Sequence, residues 1–492
     1  MTRLGACIAG GSGGAARVIG DRAGGRAPAG LRPGAGIGAA DRIALCLADP
    51  TLLIDLLVAL DGVAGALLLV SHAQPPQVVA DLAQAAGCTR IVSDRADLEC
   101  DPGRDPGAPL AVLTPQAVLE PRASQQSEGA AAGIAPQVPT AWLMTTSGTT
   151  GLPKIVPHTL QSLARTVYRF DAARVPAALP IWGLLYDPTR FAGLQVVLQA
   201  LIGGGGLIAA DVSRPLAEQV AELARHGCTH LSATPTLWRR LLMVPGIGEL
   251  ALRQITLGGE TVPQDILDAL GAVFPAARRT HIYASTEAGV GFAVNDGTAG
   301  FPAAFLTAAP GGVRLKIADG LLWLRPPDGV TQAGGVAQAG GAAQAGGAAQ
   351  AGGVAQMEVP VDAEGFVCSG DLVRLEAGRV QFLGRENGLI NVGGAKVYPE
   401  VVERAVGAVP GVRLVKVSAK ASPITGALIL AEVLADPGAD PVALKAAIQQ
   451  HCRTVLPREA VPGVVRFVGD LEMNAAGKLV RRGKEAPHDN SV

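Results

Sequence analysis

Aromatic residues are scarce, at 3% of 492 residues, and charged residues make up only 17%. The first shortage argues against a base-stacking platform for nucleic acid. Lysine plus arginine number 41 against 42 aspartates plus glutamates, a formal net charge of -1. No electrostatic case therefore exists for nucleic acid or an anionic membrane as partner. The seven cysteines (Cys7, Cys46, Cys88, Cys100, Cys228, Cys368 and Cys452) include no CxxC pair and are odd in number. A metal site and a disulfide framework are both poorly supported, so a reducing cytoplasm is the expected setting. No secretory leader is evident, because the apolar run Leu4 to Ala9 is short and is followed by glycine and arginine. The stretch Leu53 to Val70 is long and apolar but carries Asp55 and Asp61. It reads as a buried helix and strand, not a membrane span.

What is present is a hydrophobic fraction of 49% over a length sufficient for two or three domains and a large core. Residues 1–40 are rich in Gly, Ala and Arg without a clear period and read as a flexible start. Strand-like runs then alternate with helical periodicity: Arg42 to Leu47, a helix through Leu52 to Leu60, Ala64 to Val70, a helix over Val78 to Ala86, and Thr89 to Val92. That alternation predicts a parallel sheet with helices on its faces. Residues 101–139 are rich in Pro, Gly, Ser and Gln and read as loop. The unit resumes with a strand leading to Tyr186, a helix from Gly193 to Ile202, strand Leu207 to Ala210, helix Pro215 to His226, strand His230 to Ala233, helix Pro235 to Met243 and strand Gln254 to Leu257. Between Thr331 and Gln356 the chain repeats a Gln-Ala-Gly-Gly unit. A glycine pair in every six residues is too costly to order in helix or sheet, so a flexible surface insertion is expected. From about Gly384 the pattern is that of a small α+β segment.

One stretch carries the strongest chemical signal: Thr146-Ser147-Gly148-Thr149-Thr150-Gly151-Leu152-Pro153-Lys154, directly after the strand-like Ala141 to Met144. Two glycines and small hydroxyl residues make a tight turn whose N–H groups can point at a phosphate, and Lys154 adds positive charge. The spacing is not that of the mononucleotide P-loop, which needs G-x-x-x-x-G-K-[ST]. The turn resembles the phosphate loop of the adenylate-forming superfamily: acyl- and aryl-CoA synthetases, firefly luciferase and the adenylation domains of nonribosomal peptide synthetases. Further segments extend the resemblance over roughly residues 40 to 484.

Leu257-Gly258-Gly259-Glu260 ends a strand with two glycines, where a flat ring can lie close to bare backbone. In Tyr283-Ala284-Ser285-Thr286-Glu287 the resemblance implies that Tyr283 stacks on adenine, that Thr286 meets the α-phosphate region and that Glu287 holds Mg²⁺. A carboxylate suits a hard cation bridging ATP oxygens. Ser369-Gly370-Asp371-Leu372 is similar to the family's Thr-Gly-Asp motif, which places Asp371 on the ribose hydroxyls, and Arg385 matches an arginine that reaches ribose or phosphate. Asn387 stands at the family's hinge, usually Asp or Lys. The run Ile390 to Glu400, with Gly393-Gly394, resembles the loop for the second half-reaction, in wording nearer to acyl- and aryl-CoA synthetases. Asn474 to Arg482 resembles the Gly-Lys loop in which the lysine, here Lys478, is catalytic. Attack of a carboxylate on the α-phosphate gathers negative charge that a lysine can bridge.

The resemblance also places the acyl pocket along Tyr186 to Leu194, with Pro235 and Gly289 to Phe292 nearby; Tyr186, Arg190, Gly193 and Gly289 are its candidates. Thr189-Arg190 stands about where many relatives carry an aromatic–His pair. Arg190 either pairs with a second polar or anionic group of the substrate or faces water at the pocket mouth. Amino-acid-activating relatives carry an aspartate near Asp187, one residue out of register.

The expected fold is α/β, with a large domain of layered, mostly parallel sheets over residues 1–386 and a small mobile α+β domain over 387–492. The expected activity is that of an ATP-dependent acid–thiol ligase, with ATP, Mg²⁺ and coenzyme A or a phosphopantetheine thiol taking part. Two other readings remain: a stand-alone enzyme loading an amino or aryl acid onto a carrier protein, and a non-catalytic nucleotide-binding scaffold.

Overall fold

The computed structural model describes residues 4, 17–19, 31–33, 36–98, 110–121, 138–146, 153–167, 179–285, 289–325, 327, 361–422, 426–473 and 478–479. The Gln-Ala-Gly-Gly insertion lies outside them.

The first sheet has six strands in the order Ala111–Leu113, Arg90–Ser93, Arg42–Cys46, Ala66–Leu69, Ala141–Thr146 and Lys154–His158. All pairs are parallel except the last. Residues 43–46 and 66–69 are completely buried, as strands covered by helices on both faces must be. Helix Pro50–Leu60 follows the first of them; Asp49 caps it by accepting from Thr51 N, and proline stands at its first position. One of the two acids in the long apolar run is held by partners remote in sequence. Asp61 is buried but accepts from Leu4 N at 2.7 Å and from Trp142 Nε1 at 2.8 Å. The stretch Leu53 to Val70 is thus the expected buried helix and strand. Among the described residues no helix is long and apolar enough to cross a membrane.

The second sheet runs Arg17–Ile19, Gly206–Ala209, Ile181–Leu184, His230–Ala233, Gln254–Gly258, Arg278–Ser285 and Gly289–Val294, parallel up to the last, antiparallel strand. One apolar cluster, including Ile43, Leu45, Leu207 and Ala209, fills the space between the two sheets around helices Pro50–Leu60 and Phe191–Gly203. A second covers the outer face, where Leu231, Ala233, Ile255 and Leu257 meet helices Leu216–Arg225, Pro235–Leu242 and Gln264–Val273. A third covers the first sheet beneath helix Pro76–Ala85. The result is a layered α/β body.

A five-stranded antiparallel sheet, Phe301–Pro302, Arg379–Arg385, Val367–Glu376, Leu321–Arg325 and Arg314–Ala318, packs its own aromatic-rich cluster. Beyond the short turn Glu386–Gly388 come hairpin Ile390–Val392/Ala395–Val397, helix Pro399–Gly407 and a three-stranded sheet of Val412–Ser422, Gly426–Ala435 and Val464–Phe467 with helix Pro441–Val455. This smaller α+β part has a separate core drawn from residues 390 to 465.

The start of the chain departs from expectation. Arg17–Ile19 forms the edge strand of the second sheet, with Val18 3% exposed, and Leu4 is completely buried. Leu31–Pro33 pairs with Leu119–Pro121, so residues 101–139 also contain structure that their composition does not announce. Three-residue strands are too short to show a period; they are held by partners remote in sequence.

Candidate active site

In both large sheets the parallel strands end at the same edge of the body, where α/β folds place their ligands. Ala141–Thr146 ends at the hydroxyl-rich turn, Gln254–Gly258 at Gly259-Glu260, and Arg278–Ser285 at Thr286-Glu287. Residues 147–152 of the turn, including Ser147, Gly148, Thr149, Thr150 and Gly151, lie outside the described residues, as do Thr286 and Glu287. Both flanks of the turn are described. Thr146 pairs with Lys154 across the antiparallel strands, and both side a cavity of 1560 Å³.

That cavity also receives Gly258, Gly259, Glu260, Tyr283, Asp371, Arg385 and Lys478. Gly259 has φ +80, a backbone state that side chains rarely adopt. A methyl group built there would stand 3.3 Å from Lys478 Cε and 3.8 Å from its Nζ. The lysine near the chain's end therefore reaches the glycine turn of the second sheet. A bridge between Met473 and Leu479 closes the segment carrying it, and Met473 packs on the core beneath that sheet. Glu260 accepts from Thr236 N at 3.0 Å.

Asp371 is held from three sides. Its N–H donates to Ser369 Oγ at 3.0 Å, and that hydroxyl donates to Leu322 O at 2.6 Å. The Tyr283 hydroxyl donates to Asp371 Oδ2, and Arg385 Nε donates to Oδ1 at 3.0 Å. A serine hydroxyl makes both of its contacts here, so the departure from Thr-Gly-Asp leaves the anchor intact. The Tyr283 ring is stacked on Phe292 and on Phe382, each 5.3 Å away and within 12° of parallel. Burial, then the neighbouring Asp371, raises the Tyr283 hydroxyl well above its ordinary value and keeps it a donor. These aromatic partners are not legible in the motif itself.

Asn387 lies within the turn Glu386–Gly388 that joins the five-stranded sheet to the smaller part. Nearby, Gly384 has φ +153, and a methyl group there would come 2.5 Å from Glu400 Oε2. Gly393 and Gly394, at φ +59 and +93, form the two-residue turn of hairpin Ile390–Val392/Ala395–Val397. Asn391 Oδ1 accepts from Gly394 N at 2.9 Å.

The expected acyl-pocket residues divide. Tyr186 and Arg190 line the cavity. Tyr186 is 2% exposed, and burial pushes its hydroxyl far above the usual range, opposed by a hydrogen bond with Ser232. Gly193 and Gly289 are not among the described lining residues. A methyl group at Gly193 would sit 2.2 Å from Asp187 O, so this glycine lets helix Phe191–Gly203 pass close to the preceding turn. Gly289 opens strand Gly289–Val294 with φ +69. Asp187 Oδ1 accepts from Thr189 N at 2.9 Å and Thr189 Oγ1 at 2.6 Å. It shapes its own turn, and it is not among the described lining residues.

The inner face of the second sheet supplies lining that was not anticipated. Trp182, His230, Ser232, Gln254 and Thr256 face the cavity. The alternation of His230 and Ser232 with core residues Leu231 and Ala233 was the available signal. The Trp182 and His230 rings meet with centroids 4.9 Å apart and planes tilted by 50°, and burial, with Arg253 nearby, lowers His230 to about 4. Arg165, Gln195 and Gln199 also line this region, with no sequence signal at all.

The two flanks of the hydroxyl-rich stretch, a glycine turn, a tethered aspartate and a distant lysine share one cleft, the arrangement expected of an adenylate-forming enzyme. Sequence comparison agrees: residues 22–336 match the AMP-binding enzyme family and residues 401–478 match the AMP-binding enzyme C-terminal domain. The chain belongs to the AMP-binding enzyme family, whose members are ATP-dependent ligases. It is 28% identical over 459 residues to CymA of Salinispora arenicola, a probable non-canonical nonribosomal peptide synthetase; the match covers 91% of this chain and 5% of that protein. It is 29% identical over 354 residues to a probable 2-succinylbenzoate–CoA ligase of Mycobacterium tuberculosis, covering 69% of this chain and 82% of the other. The chain spans under a third of the length of several curated relatives, such as 23% of an isonitrile lipopeptide synthase of Streptomyces coeruleorubidus. Among solved structures, the amide bond synthetase McbA of Marinactinospora thermotolerans shares the fold with a TM-score of 0.70 at 19% identity, covering 97% of both chains.

Proposed function

We propose that the protein condenses a carboxylic acid with ATP to an acyl-adenylate, releasing pyrophosphate, and then passes the acyl group to the thiol of coenzyme A or of a phosphopantetheine arm. The observation that carries this reading is the approach of Lys478 to Gly259 inside the cavity that also holds Thr146 and Lys154. A carboxylate attacking the α-phosphate brings two anions together. An ammonium between them stabilises the charge that builds in the transition state.

In this reading the turn Thr146 to Lys154 holds the phosphates through backbone N–H groups and the lysine. Gly258 and Gly259 give adenine a bare backbone to lie on beside Tyr283, and Glu260 fixes that turn to helix Pro235–Leu242. Asp371 keeps acceptor capacity for the ribose hydroxyls, because each carboxylate oxygen offers more than one lone pair. Thr286 meets the α-phosphate region.

Among the described residues no three His, Cys, Asp or Glu side chains converge on one point. That fits Mg²⁺, which binds through one or two carboxylates plus substrate phosphates and needs no protein cage. Glu287 would be its protein ligand, and the ion would neutralise charge on the triphosphate. After adenylation, the small part turns about Asn387, withdrawing Lys478 and presenting the Gly393-Gly394 hairpin to the incoming thiol. Two steps in one cleft require such a movement.

The match to a CoA ligase over most of that protein's length supports coenzyme A as acceptor. The match to a segment of a peptide synthetase supports a carrier arm. Asp187, one residue out of register with the aspartate of amino-acid-activating relatives, engages its own turn through Oδ1 and lends that substrate class little support. The test is Lys478→Ala with Mg-ATP and a panel of acids. Adenylate formation, read as pyrophosphate release, should fall about 10²–10³-fold. Undiminished release by the variant would sink the assignment of Lys478.

A further inference from the structure

The charged groups of the cavity are not evenly mixed. Its carboxylates, Glu260, Asp371, Glu400 and Glu403, come from the glycine turn, the ribose motif and the small part. Seven arginines line it as well; Arg239, Arg385 and Arg413 pair with carboxylates, whereas Arg165 and Arg190 donate to neutral oxygens. Arg190 Nη1 donates to Thr145 O at 3.2 Å and to Thr145 Oγ1 at 3.4 Å. Arg165 Nη2 donates to Val290 O, on strand Gly289–Val294. Among the described residues neither arginine forms an ion pair with a carboxylate.

Each guanidinium carries five N–H donors in a fixed fork, so both retain donors beyond these backbone contacts. Arg165 is held in a built frame. Gln195 Nε2 donates to Leu163 O at 2.9 Å and Gln199 Nε2 to Thr166 O at 3.1 Å, fastening the segment around Arg165 to helix Phe191–Gly203. Burial lowers the affinity of Arg165 for its proton, and no neighbouring carboxylate opposes that effect. Keeping a partly desolvated cation without a counter-ion is costly unless a ligand supplies one.

The two cations have different neighbours. Arg190 is tied to Thr145, the residue before the phosphate turn begins, and in the adenylation reading it stands beside the reacting carboxylate. Arg165 is tied to the strand that follows Thr286-Glu287. In that reading the reacting carboxylate accounts for Arg190, and among the described residues Arg165 has no anion.

We propose that the acid activated by this protein carries a second anionic group, and that Arg165 receives it through paired N–H donors. This inference rests on the adenylation reading above. A fork of this kind fits a carboxylate or another planar oxyanion, whereas an ester or primary amide at the same place offers no charge and only one good acceptor.

The test compares aliphatic and aromatic diacids with their own monomethyl esters and monoamides, using the full chain, Mg-ATP and pyrophosphate release. Diacids should exceed their matched esters in kcat/KM by at least about 10-fold, since charge-assisted hydrogen bonds discriminate on that scale. In Arg165→Gln that preference should collapse by about 10- to 100-fold, chiefly through KM of the diacid, and Arg165→Lys should retain an intermediate preference. Esters that match their diacids in the wild type overturn the inference and leave the adenylation reading standing. A preference unchanged in Arg165→Gln, with both classes of acid slowed alike, assigns Arg165 to the frame and also overturns it. Absence of pyrophosphate release with every acid overturns the adenylation reading, and the inference with it.

Discussion

The two ends of the cavity are built differently. At the nucleotide end, polar groups are already tied to one another: Asp371 to Ser369, Tyr283 and Arg385, and Glu260 to Thr236. At the other end, Arg165 and Arg190 touch only neutral oxygens among the described residues, and the walls include aromatic and amide side chains such as Trp182, His230, Gln195 and Gln199. The difference teaches which end is set before binding. Groups that satisfy each other hold a fixed geometry for the part of the reaction that never varies. Donors left over are a statement about the partner that varies, the acid. Pre-tied polar groups cost little reorganisation when charge develops.

Lys478→Ala is the strongest way to break this picture, because the lysine's Cε stands by Gly259 in the shared cavity. Next in size is Asp371→Ala. It should raise KM for ATP about 10-fold or more while leaving the diacid preference intact, since charge-assisted bonds to a carboxylate are worth about 1.5–3 kcal/mol each. A change of acid preference in that variant, measured with the same panel, would show that the ends are coupled. Gly193→Ala addresses the frame under the acid end. The added methyl would meet Asp187 O at 2.2 Å, so the helix or the turn must move. Overpacking of this kind costs about 1–3 kcal/mol, measurable by chemical denaturation. The smallest effect concerns His230, which burial holds at about 4 against an ordinary 6.5. Between those values the unfolded chain takes up the proton that the native protein refuses. Stability from this group is complete above pH 6.5 and declines as pH falls toward 4. Melting temperature should therefore drop from pH 7.5 to pH 5, and His230→Gln should flatten that slope.

Much of the layered fold was legible because each parallel strand is a short apolar run followed by helical periodicity. His230–Ala233 has the expected bounds, and Gln254–Gly258 differs from expectation by one residue. The edge strand Arg17–Ile19 was not legible, since its reason for being extended is Gly206–Ala209, far along the chain. At the site, the glycine turns and the Asp371 motif were visible, because close backbone approach and tethered carboxylates need particular residue types at particular spacings. Gly193 was visible as a residue but not in its role: it serves helix passage at the turn of Asp187, and the pocket wall lies elsewhere.

Sequence alone thus determined the family and marked out the segments proposed to meet phosphate and ribose, because local motifs encode the backbone turns that nucleotide chemistry demands. Tertiary structure decided which of them meet, bringing Lys478 onto Gly259 and the Tyr283 hydroxyl onto Asp371. It also decided that Arg165, unmarked by any motif, would line the cavity in contact with Val290. The physical reason is that such contacts join residues far apart in the chain, where neither period nor spacing carries information about what will be adjacent.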